Sequence, residues 1–162
     1  MPTLVQWGFS YQVFSTPGGD TLPDIWQPLV TAARRAAEQA AYAPYSRFRV
    51  GAAIELANGQ IVVGANVENA AYPSGLCAER VACFSARAQY PGVDCVRMGL
   101  VAHDGHAWLS VPPTPCGACR QVLVEQRSLQ AVPLALLLAG SQEQWLIDDA
   151  LALLPLRFSM DG

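Results

Sequence analysis

The chain has 162 residues, 52% of them hydrophobic and 14% charged, with a net charge of −3. That length suits one domain with a real core, and a charged share so far below the usual ~25% points to surface buried against other subunits. All ten basic residues are arginine, which excludes Schiff-base and P-loop lysine chemistry. No basic cluster is present to neutralise a run of phosphates, so a nucleic-acid partner is disfavoured.

Trp7, Phe9, Tyr11 and Val13 alternate with mostly polar or small residues, which predicts a strand before the break at "PGGD". Residues 1–23 are read as an N-terminal extension and 24–162 as the main domain. The start carries no basic n-region and does not read as a secretory signal. From Asp24 the pattern turns helical: Pro28 suits a first turn, alanines fill 32–43, and Pro44 stops it. "RFRVGAAIELA" and "QIVVGANVEN" flank Asn58-Gly59, a strong hairpin signal. A helix is predicted from near Cys77 to about Gln89, then a buried strand in "DCVRMGLVAH". After a loop rich in Gly and Pro, a helix runs from Cys116 to about Arg127, followed by strands at 133–139 and in "EQWLI". Asp148 is the expected cap of a last short helix that Pro155 ends. Alternating helices and strands behind a leading hairpin imply an α/β fold, a three-layer α/β/α sandwich around one mixed central sheet.

The longest apolar run, "VPLALLLAG", is far shorter than the ~20 residues that span a bilayer, so no membrane partner is expected. Five cysteines, an odd number, argue against a disulfide framework and for metal or catalytic use in a cytoplasmic protein.

Three of these cysteines have ligand spacing. Cys116 and Cys119 in "PCGACRQV" share one face of a helix start, and Cys77 in "CAER" stands where another helix begins. Helix N-termini stabilise thiolates through unpaired N–H groups and the dipole. Three thiolates on one Zn²⁺ leave a coordination position for water, the mark of a catalytic rather than a structural site. Cys83, six residues after Cys77, falls on another part of the helix, and Cys95 reads as a core residue. His103 and His106 read as loop histidines. Glu79, two residues from Cys77, is placed to take a proton from zinc-activated water and hand it on. A ligand, then Glu two residues on, then P-C-x-x-C is the zinc nucleobase deaminase pattern, here with Cys as the first ligand.

At this point the chain resembles the small three-cysteine cytidine deaminases. The likeness runs from about Tyr42 to Phe158, through "YAPYSRFRVGAA", "NGQIVVGANVENAAYPSGLCAERVA", "PCGACRQV" and "ALLPLRF". The resemblance implies hydrolysis of cytidine or 2′-deoxycytidine to the uridine nucleoside and ammonia, as in pyrimidine salvage, by a homotetramer with one Zn²⁺ per chain. It implies that Cys77, Cys116 and Cys119 hold zinc and that Glu79 shuttles protons. Asn66 and Glu68 would bond the ribose hydroxyls, Phe48 would pack on the pyrimidine, and the Ala78 backbone would bond the base edge. Arg80 and Gln121 would donate to the zinc thiolates, and Phe158 would reach a neighbouring subunit's pocket. Two rivals remain: the same hydrolysis on a base or an aminonucleoside, and a non-catalytic zinc module, against which Glu79 argues.

Overall fold

The computed structural model describes residues 8–160. Six strands form one mixed sheet: β1 (Gln12–Ser15), β2 (Arg49–Leu56), β3 (Ile61–Ala65), β4 (Cys95–His103), β5 (Ala135–Ala139) and β6 (Glu143–Ile147). Their order across the sheet is β1-β6-β5-β4-β2-β3; β4 and β5 run parallel and every other pair is antiparallel. Helix α1 (Gln27–Gln39) covers one face, while α2 (Ala78–Gln89) and α3 (Gly117–Ser128) cover the other. The expected three-layer sandwich is therefore the observed one.

Both sheet faces are buried, and the side chains sort by alternation along each strand. Ala52, Ile54, Met98, Leu100, Leu136 and Leu138 pack with α2 and α3, whereas Ala53, Val101, Leu137 and Ala139 pack with α1. Small residues set the layer spacing. A Cβ on Gly64 of β3 would land on the backbone of Ala78 and Ala82. Only glycine there lets the first turn of α2 lie flat against the sheet.

Three departures from the sequence reading have physical causes. Strand β1 begins at Gln12, later than the alternation suggested, because pairing with β6 from Gln12↔Leu146 to Ser15↔Glu143 sets its bounds. Tyr11 precedes the strand and stacks on Trp145 at 5.0 Å; Trp7 lies outside the described residues. Helix α1 stops at Gln39, short of the alanine run's end, since the Tyr42 backbone is drawn into pairing with the stretch after β3. The Tyr42 N–H donates to Asn66 O at 3.0 Å, and the Glu68 N–H donates to Tyr42 O at 2.8 Å. The hairpin expected at Asn58-Gly59 forms, its turn closed by Gly59 N–H to Leu56 O (2.8 Å) with Gly59 left-handed at φ 81°. Asp149, not Asp148, caps the final 3-10 turn at Ala150–Leu153. It accepts from Leu151 N–H and is held by Arg127 at 2.9 Å.

Candidate active site

The N-termini of α2 and α3 meet on the same sheet face, with Cys77 and Cys116 as their N-cap residues, both in extended conformation. Cys119 sits one turn into α3 and is fully buried. The Cys77 and Cys116 sulfurs are 4.0 Å apart, those of Cys116 and Cys119 3.5 Å, and all three lie within 4.8 Å of one another. Four-coordinate zinc with Zn–S bonds of about 2.3 Å needs sulfurs about 3.8 Å apart. Soft thiolate donors at that spacing fit zinc, and no carboxylate competes within the set.

Charge at this corner is arranged by hydrogen bonding. Cys77 is pulled down to about 5 by its hydrogen bond with Cys119 and by the Arg80 guanidinium, and the same hydrogen bond pushes Cys119 up. The Arg80 guanidinium lies beside the Cys77 and Cys119 sulfurs, whose charge raises its pKa, while its Nη2 donates to the Gly75 carbonyl at 3.4 Å. Donors onto sulfur withdraw charge from a metal–thiolate centre. Glu79 is 4% exposed, and burial, then the nearby Cys77 charge, raises its carboxyl pKa. A carboxyl so placed holds a proton more readily than one in water, which suits a group that must both take and give one.

The other two cysteines take no part. Burial pushes Cys83 up to about 12 and Cys95 up to about 11, and both remain inert core thiols. His103, expected in a loop, is instead the last residue of β4, paired with Arg49; its ring accepts from the Gly105 N–H and lies edge-on to Trp108.

A cleft of about 960 Å³ opens from the thiols and is lined by Cys77, Glu79 and Arg80 at one end and by Phe48, Asn66 and Glu68 at the other. At this second end the side chains are held by loops. Glu68 Oε2 accepts from the N–H groups of Tyr45 (2.9 Å) and Ser46 (3.3 Å), and Oε1 accepts from the Ser46 hydroxyl. These donors, the hydroxyl first, hold its pKa below the usual carboxylate value. Asn66 is committed to backbone at both ends of its amide: Nδ2 donates to Phe48 O, and Oδ1 accepts from Val50 N–H, each at 2.8 Å. Phe48 is left 36% exposed on the cleft wall.

Three expected site residues lie elsewhere. Ala78 is fully buried in the first turn of α2 and is not among the residues lining the cleft. Gln121 is a correction: its Nε2 donates to Phe158 O at 3.0 Å, not to a thiol. Two residues beyond Cys119 is roughly 200° around a helix, which turns it away from the sulfurs. Phe158 is 69% exposed and borders a different hollow, beside Cys83, Phe84 and Gln121. The sequence reading passed over Ser46. Its position two residues before Phe48 is the spacing at which a serine hydroxyl accepts from backbone N–H, and that signal could have found it.

The chain is similar to known proteins. The cytidine and deoxycytidylate deaminase zinc-binding region matches residues 26–135. The chain is 46% identical over 89 residues to the cytidine deaminase of Halalkalibacterium halodurans, covering 55% of this chain and 63% of that one, a little under two thirds of its length. It is 43% identical over 105 residues to the cytidine deaminase of Mycobacterium tuberculosis, covering 64% and 74%. The crystal structure of cytidine deaminase from Burkholderia pseudomallei superposes with a TM-score of 0.68 at 38% identity, over 82% of this chain and 98% of that one. The matched stretch takes in Cys77, Glu79, Cys116 and Cys119 and well over half the sequence, and the chain belongs to the cytidine and deoxycytidylate deaminase family.

Proposed function

We propose that the protein hydrolyses cytidine and 2′-deoxycytidine to uridine and 2′-deoxyuridine with release of ammonia, using one Zn²⁺ per chain. The observation that carries this reading is the buried Glu79 carboxyl lining a cleft together with Cys77 and Cys116, two of three thiols that lie within 4.8 Å of one another. Cys77, Cys116 and Cys119 hold the metal. When bound, zinc supplies a Lewis acid beside which water loses a proton near neutral pH. Glu79 would take a proton from the attacking water and pass it to ring N3 as the water oxygen bonds C4, then carry the new C4 hydroxyl proton to the amino nitrogen, so that the C4–N bond breaks, ammonia leaves and the C4 carbonyl of uracil forms. The raised proton affinity of Glu79 suits both halves of this traffic. Arg80 spreads the thiolate charge, and the Ala78 backbone bonds the base edge.

At the far end Phe48 packs on the pyrimidine while Glu68 and Asn66 bond the ribose. Each atom of the Asn66 amide has one hydrogen-bonding position left after its backbone partner, and the Glu68 carboxylate has one or so beyond its three donors. Residues 24–162 form the catalytic domain, and 1–23 an extension whose strand β1 lengthens the sheet at its β6 edge. The active unit is a homotetramer in the cytoplasm, in which Phe158 closes a neighbour's cleft. Its exposure, away from its own cleft, supports that placement. No helix among the described residues is long and apolar enough to cross a membrane.

The test is direct. The zinc-loaded protein should shift the ultraviolet absorbance of cytidine as cytosine becomes uracil. Glu79→Gln should keep its zinc and lose at least ~10²–10⁴ in kcat. No turnover of cytidine by wild type, or turnover by Glu79→Gln within about tenfold of it, overturns the assignment.

A further inference from the structure

Phe48 lies one residue before β2 begins, outside the sheet's ladder, yet both polar groups of its backbone are partnered by side chains. Its N–H donates to Ser46 Oγ at 3.0 Å, and its carbonyl accepts from Asn66 Nδ2 at 2.8 Å. Arg47 between them is left-handed at φ 60°, uncommon for a residue with a side chain. The same Ser46 hydroxyl that accepts from Phe48 donates to Glu68 Oε1, while the Ser46 and Tyr45 N–H groups hold Oε2. Among the described residues, Ser46 is thus the one side chain bonded both to the carboxylate at the cleft's far end and to the backbone that carries the aromatic ring.

We propose that Ser46 is a positioning residue that locks the Glu68 carboxylate and the Phe48 ring into one rigid unit, so that sugar and base are gripped in a fixed relation. This rests on the reading of Glu68 as a ribose ligand and Phe48 as the base platform. A hydroxyl has one proton to give, and here the carboxylate receives it. Its oxygen then accepts from the Phe48 N–H, and this relay fixes the rotor in a single orientation. Replacing Ser46 by alanine removes one of the carboxylate's three donors and frees the Phe48 N–H. The segment is exposed, so water replaces both partners and the fold survives. What is lost is preorganisation, which is read in substrate binding and not in the chemical step.

The experiment is steady-state kinetics of the full-length, zinc-loaded protein on cytidine, with melting temperature measured alongside. Ser46→Ala should raise KM about tenfold while kcat stays within about threefold, the scale of one charge-assisted hydrogen bond. Ser46→Thr, which keeps the hydroxyl, should return KM to within about threefold of wild type. Glu68→Gln should itself raise KM, and in that background Ser46→Ala should cost less than about twofold more, because the two act as one unit. If Ser46→Ala does not fold, Ser46→Cys takes its place, with the same expectation of a raised KM. An unchanged KM in the variant lacking the hydroxyl, a threonine no better than alanine, or additive effects in the double variant would each overturn the proposal. If Glu68→Gln raises KM while Ser46→Ala does not, Ser46 alone loses its role. If Glu68→Gln leaves KM unchanged, the ribose reading falls and this proposal with it.

Discussion

The two ends of the cleft are built by different means. At the thiol end, position follows from local backbone: two helix N-termini, each capped by a cysteine, with Cys119 one turn further on and Glu79 in the first turn of α2. Few contacts beyond helix geometry and the packing of α2 on Gly64 are needed to bring the sulfurs together. At the end proposed to hold the sugar, Phe48, Asn66 and Glu68 all lie outside helices and strands. A loop with a left-handed residue is fastened to the stretch after β3 by side-chain-to-backbone hydrogen bonds between residues more than fifteen apart. Rigid helices suit the end where a metal and a proton carrier must keep their spacing. The loop end depends on a network whose members support one another, so it is the end at which single substitutions should alter specificity without stopping the chemistry.

The largest effect that tests this contrast is at the thiols. Cys116→Ser should lose zinc on metal analysis and with it all measurable turnover, whereas Cys83→Ala should keep both, since Cys83 is buried away from the sulfur set. Zinc retained by Cys116→Ser would mean that the helix ends are not the metal site. Next in size is the sugar end. Glu68→Ala should cost about 10–100-fold in kcat/KM on cytidine with zinc content intact, and it should narrow the gap between cytidine and free cytosine. Equal turnover of nucleoside and base by the wild type would shift the reading to a base deaminase and remove the division of labour.

A smaller effect is expected at Phe158. Its truncation to alanine should raise KM several-fold, about one buried aromatic contact's worth, with little change in melting temperature. Sedimentation should give close to four times the 17.3 kDa chain mass. An active monomer would rule out the shared cleft and leave the zinc chemistry standing. The smallest effect is on stability. Donors from Ser46 and Tyr45 depress the Glu68 pKa below its ordinary 4.5, so its stabilising contribution is present above that pH and is lost as pH falls through the lowered value. The melting-temperature difference between wild type and Glu68→Gln should be full at about pH 7 and should close in acid, remaining small throughout because the group is exposed. A difference that grows on acidification would contradict the hydrogen-bonding scheme.

Much of this protein was determined by the sequence alone. The Asn58-Gly59 signal specifies the hairpin of β2 and β3. The spacing of Cys77, Glu79, Cys116 and Cys119 specifies the metal end, because helix starts and i, i+3 neighbours are local geometry that a single chain segment decides. Cys83 was separable from the ligands by the same helical angle. Tertiary structure decided what depends on partners distant in sequence. Helix α1 ends at Gln39 because Tyr42 pairs across to the segment after β3, and β1 takes its bounds from β6. Gln121, expected at the thiols, turns to the Phe158 carbonyl instead. Ser46 acquires its role only when the loop folds onto Glu68. Local propensity sets which groups each segment presents; long-range pairing and packing set which of those groups meet, and the free energy of that choice resides in contacts that no single segment contains.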